Sequence, residues 1–153
     1  MLTASSSSQP VEILLVEDSP GDVCLTQEGL KGAKVLHRLN VVSDGEQAMS
    51  FLEHKQPFEQ APRPHLILLD LNLPKLNGRE VLARIRKDPS LKRIPVVILT
   101  TSDAESDIQA SYDLQANSYV TKPVGYEQFM HAIKTIESFW LELAKLPGGP
   151  VHE

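Results

Sequence analysis

The chain has 153 residues, which fits one domain of ordinary size, and 41% of them are hydrophobic, enough for a sizeable core. Its formal net charge of −5 argues against a nucleic-acid surface, because a phosphate polymer would be repelled, and no run of Lys and Arg offers a local exception. No stretch approaches the length of a membrane span, and the start lacks the basic opening and apolar run of a signal peptide.

Met1 to Pro10 is Ser-rich and reads as a disordered tail. Glu12-Ile-Leu-Leu-Val16 is a short apolar run that predicts the first strand, closed by the turn residues Ser19-Pro20-Gly21. Gly21 to Leu30 follows with a faint helical pattern. It carries Cys24, the sole cysteine, which cannot form an internal disulfide and reads as a small, partly buried helix residue in a reducing, cytoplasmic setting. His37 to Val42 alternates weakly and ends at Ser43-Asp44-Gly45. Asp44 with Gln47 has the form of a capping box, and Ala48, Phe51, Leu52 and Lys55 fall at helical spacing.

Leu66 to Leu69 is a second continuous apolar run, followed by a helical stripe of Val81, Leu82 and Ile85. Val96 to Leu99, behind Pro95, is the third such run. Ser102 with Glu105 predicts another capping box, opening a helix through about Leu114. Ser118 to Val120 is a short fifth strand, and the last helix runs from about Tyr126 to Leu146. Pro147 to Glu153 contains Pro-Gly-Gly-Pro and reads as a second disordered tail, leaving residues 11–146 as one domain.

Continuous apolar runs of this length suit strands buried on both faces of a parallel sheet. Five strands alternating with five helices predict an α/β fold, a doubly wound sheet with helices on both faces and right-handed crossovers. Such a sheet binds ligands at the carboxyl ends of its strands, where the strand order reverses. The informative residues are therefore those that follow each apolar run: Glu17 and Asp18, Asp70, Thr100 and Thr101, and Lys122-Pro123. Clustered carboxylates repel one another and need a proton or a cation. Mg²⁺ takes one or two carboxylates, keeps waters and accepts phosphate oxygens. A carboxylate can also accept a phosphoryl group, with a metal and a Lys neutralising charge on the equatorial oxygens.

The segments Ile13-Leu-Leu-Val-Glu-Asp18, Leu66-Ile-Leu-Leu-Asp-Leu-Asn-Leu-Pro74 with Gly78, Pro95-Val-Val-Ile-Leu-Thr100 and Tyr119-Val-Thr-Lys-Pro123 resemble, in this order, the receiver domains of two-component response regulators. The resemblance spans about Val11 to Trp140. It implies a flavodoxin- or CheY-like sheet of order 2-1-3-4-5 and a signalling protein rather than an enzyme, one that assists its own phosphotransfer and dephosphorylation. By position, Asp70 is the phosphoacceptor. Asp18, Asp70 and the backbone carbonyl of Asn72 bind Mg²⁺, or Mn²⁺ or Ca²⁺ in its place, with Glu17 acting through water. Thr100 is the switch hydroxyl, Lys122 bridges to the phosphoryl oxygens, and Tyr119 is the aromatic that turns inward on activation. The resemblance also implies a cis Lys122-Pro123 bond. Thr101 departs from the very small residue usual after the switch Thr, which bears on water access and on the lifetime of the phosphorylated state. The five histidines show no metal-ligand spacing, and none is placed as a phosphodonor, so that histidine belongs to a partner kinase.

Gly78-Arg-Glu-Val-Leu82, Leu99-Thr-Thr-Ser102, Gln115-Ala-Asn-Ser-Tyr119 and Glu137-Ser-Phe-Trp140 with Leu146-Pro147 are similar to the small response regulators that partner phytochrome-type, light-sensing histidine kinases. That likeness implies self-association through the last helix and its neighbours. The residues argue the same way. A helix of about 20 residues spans about 30 Å. Phe129, Ile133, Ile136, Trp140 and Leu143 form one stripe that Ala132, Phe139 and Leu146 widen beyond a single core-facing face. The expected interface comprises Phe129, Ile136, Phe139, Trp140 and Leu143. Two other functions compete. A flavin-binding electron carrier of the same fold needs a phosphate cradle after the first strand, where Glu17 and Asp18 would repel it. A scaffold receiver that only binds partners has no need of the Asp18, Asp70, Thr100 and Lys122 set.

Overall fold

The computed structural model describes residues 9–148; most of the two expected tails lies outside them. The chain alternates strand and helix: β1 (Val11–Val16), α1 (Pro20–Leu30), β2 (His37–Val42), α2 (Gly45–Leu52), β3 (Leu66–Leu69), α3 (Gly78–Lys87), β4 (Val96–Thr100), α4 (Glu105–Asp113), β5 (Ser118–Thr121) and α5 (Tyr126–Glu137). All strand pairs are parallel, in the order β2-β1-β3-β4-β5. This is the doubly wound sheet expected from the alternation of apolar runs and helices.

Alternate residues of β1 serve opposite layers, as the strand period of two requires. Leu14 and Val16 pack with Phe51, Leu52, Val81, Leu82 and Ile85 on the α2 and α3 side. Ile13 and Leu15 pack with Leu30, Phe129 and Ile133 on the α1 and α5 side. β1, β3 and β4 are buried along their whole length, which explains their continuous apolar runs.

Local signals set most boundaries. Ser19 caps α1, accepting from the backbone N–H of Asp22, and Pro20 takes the first helical turn, where its missing N–H costs nothing. Asn77 caps α3 in the same way, accepting from Glu80 N–H, while Arg84, Arg86 and Lys87 fill the last turn and oppose the negative helix end. Asp44 caps α2 by accepting from Gln47 N–H at 2.7 Å, but the Gln47 side chain reaches back to Ser43 N–H rather than to Asp44.

Four expectations need correction. Ser102 does not cap α4: its hydroxyl donates to Asp107 at 2.6 Å, and Ala104 sits at the cap without a side-chain bond. The Asp107 carboxylate, anchored by Arg79 at 2.9 Å, claims the hydroxyl that a capping box would have used. Cys24 is exposed rather than partly buried, because α1 turns Thr26, Gly29 and Leu30 inward instead. The Lys122-Pro123 bond is trans, the cis peptide among the described residues being Gln56-Pro57. Lys122 is aimed by the sheet: β5 runs to Thr121, and Lys122 N–H bonds the Thr100 carbonyl at 2.7 Å. Lastly, α5 ends at Glu137 and gives way to a π-helical turn, Ser138–Leu143. The wider turn admits one extra residue. The inward position after Ile136 therefore falls on Leu141, which is 1% exposed, and not on Trp140.

Candidate functional site

The strand order reverses at β1, whose neighbours are β2 and β3, so the crevice lies beyond the carboxyl ends of β1 and β3. Glu17 leaves β1 there, its N–H bonded to the Val42 carbonyl at 3.0 Å, and Asp70 leaves β3 with its N–H bonded to the Val16 carbonyl at 3.1 Å. These bonds fix the backbone that carries both carboxylates. Asp18 lies next to Glu17 and is exposed. The carboxylate oxygens of Glu17, Asp18 and Asp70 lie within 4.8 Å of one another.

Gly78 seats the first turn of α3 directly on this strand end. A Cβ there would stand 2.3 Å from the Asp70 carbonyl oxygen and 2.6 Å from the Leu71 Cα, so only glycine lets the backbones meet. Gly78 N–H in turn bonds the Leu71 carbonyl at 3.0 Å. The loop between is closed by Asn72 N–H on Asp70 Oδ1 at 3.1 Å.

Lys122 supplies the counter-charge. Its Nζ donates to Glu17 Oε1 at 2.5 Å, Asp22 Oδ2 at 2.8 Å and Asp70 Oδ2 at 3.1 Å. Burial works against the ammonium, but the hydrogen bonds to Asp22 and Glu17 and the charge of Asp70 outweigh it and hold its pKa above the ordinary lysine value. Glu17 moves the other way. Burial pushes it from 4.5 up to about 7 with help from the Asp70 charge, although its hydrogen bond to Lys122 pulls it down. Two buried carboxylates cannot both be ionised cheaply beside one lysine, and a divalent cation has the charge and oxygen preference to complete the set.

The other expected site residues lie close by or further along the sheet edge. Thr100 is fully buried and its hydroxyl accepts from the Asn72 side chain at 3.5 Å. Tyr119 is partly buried; its hydroxyl donates to the Ser102 carbonyl at 2.9 Å, and burial raises its pKa. Thr101 is exposed at the end of β4. Among the expected interface residues, Phe129 and Ile136 are buried within the chain's own core at 3% and 6% exposure. Phe139 and Leu143 are 51% and 73% exposed, and Phe139 meets Trp140 edge-on with ring centroids 5.1 Å apart.

Asp22 went unread in the sequence. Its signal was Ser19-x-x-Asp22 directly after the first strand, a capping pattern that places the acid in the first turn of α1 beside the strand ends.

Comparison with known proteins agrees with this geometry. Residues 13–134 match the response regulator receiver domain family. The chain is 52% identical over 144 residues to response regulator Rcp1 of Synechocystis, covering 94% of this chain and 98% of that one. The structure is similar to the Mn²⁺-bound form of response regulator Rcp1, with a TM-score of 0.88 at 54% identity over 90% of this chain and 99% of that one. It is equally similar to the phosphorylated cyanobacterial phytochrome response regulator RcpA, with a TM-score of 0.88 at 51% identity over 91% and 99%. Among the described residues no helix is long and apolar enough to cross a membrane. With its parallel sheet, its acidic crevice and these relatives, the chain belongs to the response regulator receiver family.

Proposed function

We propose that Asp70 accepts a phosphoryl group from the phosphohistidine of a partner histidine kinase, and that the protein signals by changed contacts with other proteins. The observation that carries this reading is the convergence of Lys122 Nζ on Asp70 at 3.1 Å beside the Glu17 and Asp18 carboxylates. Relatives solved with Mn²⁺ and in a phosphorylated state support it, and the likeness to RcpA, a phytochrome response regulator, points to a light-sensing kinase as donor. A lone Cys24 fits a reducing, cytoplasmic setting.

The chemistry follows from the charges. Asp18, Asp70 and the Asn72 carbonyl would hold Mg²⁺, or Mn²⁺ or Ca²⁺, with Glu17 reached through water. When bound, the metal neutralises charge on the phosphoryl oxygens and lets them approach the carboxylates. An Asp70 oxygen attacks phosphorus and forms the new P–O bond. The P–N bond breaks, and its electron pair returns to the imidazole, which takes up a proton. Lys122 then pairs with the transferred phosphoryl oxygens, and the Thr100 hydroxyl donates to one of them. Water ends the cycle by attacking phosphorus, which restores the Asp70 carboxylate and releases inorganic phosphate. Thr101, larger than the residue usual at that place, narrows the approach of this water.

The movement of Thr100 biases the α4, β5 and α5 face by population shift, with Tyr119 turning inward once it leaves the Ser102 carbonyl. The partner on that face is a second copy of the chain. Phe139 and Leu143 are exposed, Phe139 lines a groove of about 420 Å³ with Val120, Thr135, Ile136 and Trp140, and an exposed aromatic patch of this kind is the mark of an interface.

Intact mass after incubation with acetyl phosphate and Mg²⁺, beside an EDTA control and Asp70→Asn, tests the reading. One phosphoryl group gained with metal and lost in the variant supports it. No gain under any condition makes the protein a binding-only receiver. Sedimentation of Phe139→Ser and Leu143→Ser against the parent chain tests the dimer, which the variants should dissociate.

A further inference from the structure

The Lys122 ammonium has three N–H donors, and three carboxylates occupy them. Glu17 and Asp70 belong to the acidic cluster at the strand ends. Asp22 does not. It stands in the first turn of α1, its own N–H held by Ser19 Oγ at 3.3 Å and its carbonyl accepting from the Thr26 hydroxyl at 2.8 Å. Its side chain is 28% exposed against 4% for Lys122, so it reaches in from the rim and holds the ammonium from the α1 side.

A phosphoryl group on Asp70 takes over the donor that Asp70 holds, and the ammonium must lean toward its oxygens while Glu17 and Asp22 hold the other two donors. Glu17 is 2% exposed at its side chain and has no solvent to turn to. Asp22, at the rim, is the carboxylate whose grip decides how far the ammonium leans toward α1. Removing its charge leaves Glu17, Asp18 and Asp70 intact.

On the reading that Asp70 is the phosphoacceptor, we propose that Asp22 is a positioning residue that competes with the phosphoryl group for Lys122. It thereby slows phosphoryl capture and shortens the life of the aspartyl phosphate. An acid in the first turn of a helix also interacts favourably with the helix dipole, and that role changes stability alone. Kinetics therefore separates the two.

The full chain and its Asp22→Asn and Asp22→Glu variants are incubated with acetyl phosphate and Mg²⁺, then freed of donor, and both phases are followed by intact mass. Asp22→Asn should label about three- to fivefold faster and hold its phosphate longer by a similar factor, the upper end of the range expected for loss of one partly exposed ion pair. Asp22→Glu, which keeps the charge, should stay within about twofold of the parent. If Asp22→Asn is poorly folded, Asp22→Ser, which keeps a polar side chain in the first turn, is judged by the same rates. Parental rates and lifetime in the uncharged variants, with only a lowered melting temperature, would reduce Asp22 to a helix-terminal charge and overturn the proposal. Slower labelling would overturn it too, by showing that Asp22 helps Lys122 toward the phosphoryl group. In both cases the parent chain still labels and Asp70 keeps its role; a parent chain that takes up no phosphate overturns the role of Asp70 and the proposal with it.

Discussion

Lys122 Nζ stands 3.1 Å from Asp70 Oδ2 although 52 residues separate them in the chain. The contact exists because β3 and β5 flank β4 and all three end on the same edge of a parallel sheet. That edge concentrates acids, and the lysine is the charge that lets them coexist at 3% exposure for Glu17 and 5% for Asp70.

Replacing Lys122 by Ala removes one side of a buried ion cluster and leaves the other. Breaking a buried pair in this way costs about 3–5 kcal/mol. Chemical denaturation without divalent cation should show a loss of that order. Added Mg²⁺ should recover more stability in Lys122→Ala than in the parent chain, since the metal then replaces a missing charge rather than joining an existing one.

Glu17 sets a pH dependence. Its pKa rises from 4.5 to about 7 in the fold, so the folded state holds this proton more tightly than the unfolded chain. The stability it contributes is complete below the unfolded pKa and is lost as pH rises through about 7. Metal binding needs the ionised carboxylate and runs the opposite way, strengthening across the same window. Calorimetric titration with Mg²⁺ should show affinity increasing from about pH 6 to about pH 8 with proton release, and Glu17→Gln should flatten the dependence.

Gly78→Ala inserts a methyl group 2.3 Å from the Asp70 carbonyl oxygen. Backbone on both sides must shift, at a cost of about 1–3 kcal/mol by analogy with overpacked cores. Urea unfolding should register that loss. Labelling by acetyl phosphate should slow as well, because the displaced backbone carries Asp70.

Arg86 ties three segments together away from the site. It donates to the carbonyls of Gln115, Lys92 and Ile94 and to Asn117 Oδ1, all at 2.8–2.9 Å, and Asn117 Oδ1 also accepts from Val96 N–H. Arg86→Ala should cost about 2 kcal/mol by urea unfolding, the scale of lost bonds to a charged donor, while leaving the phosphorylation rate near the parental value.

β1, β3 and β4 were legible because burial on both faces writes itself into sequence as continuous apolar runs, whereas the strand order came from the resemblance to receiver domains. Leu66 to Leu69 and Val96 to Leu99 are such runs, and both are strands buried along their length. The acids and the lysine were legible for a related reason: in a parallel sheet, whatever follows an apolar run lands on the binding edge, and Glu17, Asp18, Asp70 and Lys122 all do so. The last helix was less legible. Its stripe placed Trp140 and Leu143 in line with Ile133 and Ile136, but a single extra residue in the π-helical turn moves the inward position to Leu141. Periodicity carries no mark of that insertion.

The sequence by itself determined which residues lie at the strand ends, because that follows from chain direction and the burial of local runs. Only the tertiary structure decided which charges touch. Lys122 takes Asp22 as a third partner because α1 brings its first turn to the strand ends, and Ser102 serves Asp107, which Arg79 also holds, rather than a helix cap because α4 opens two residues later with Ala104 at the cap. Pairings of this kind depend on distances between elements remote in the chain, and those distances exist only once the layers have packed.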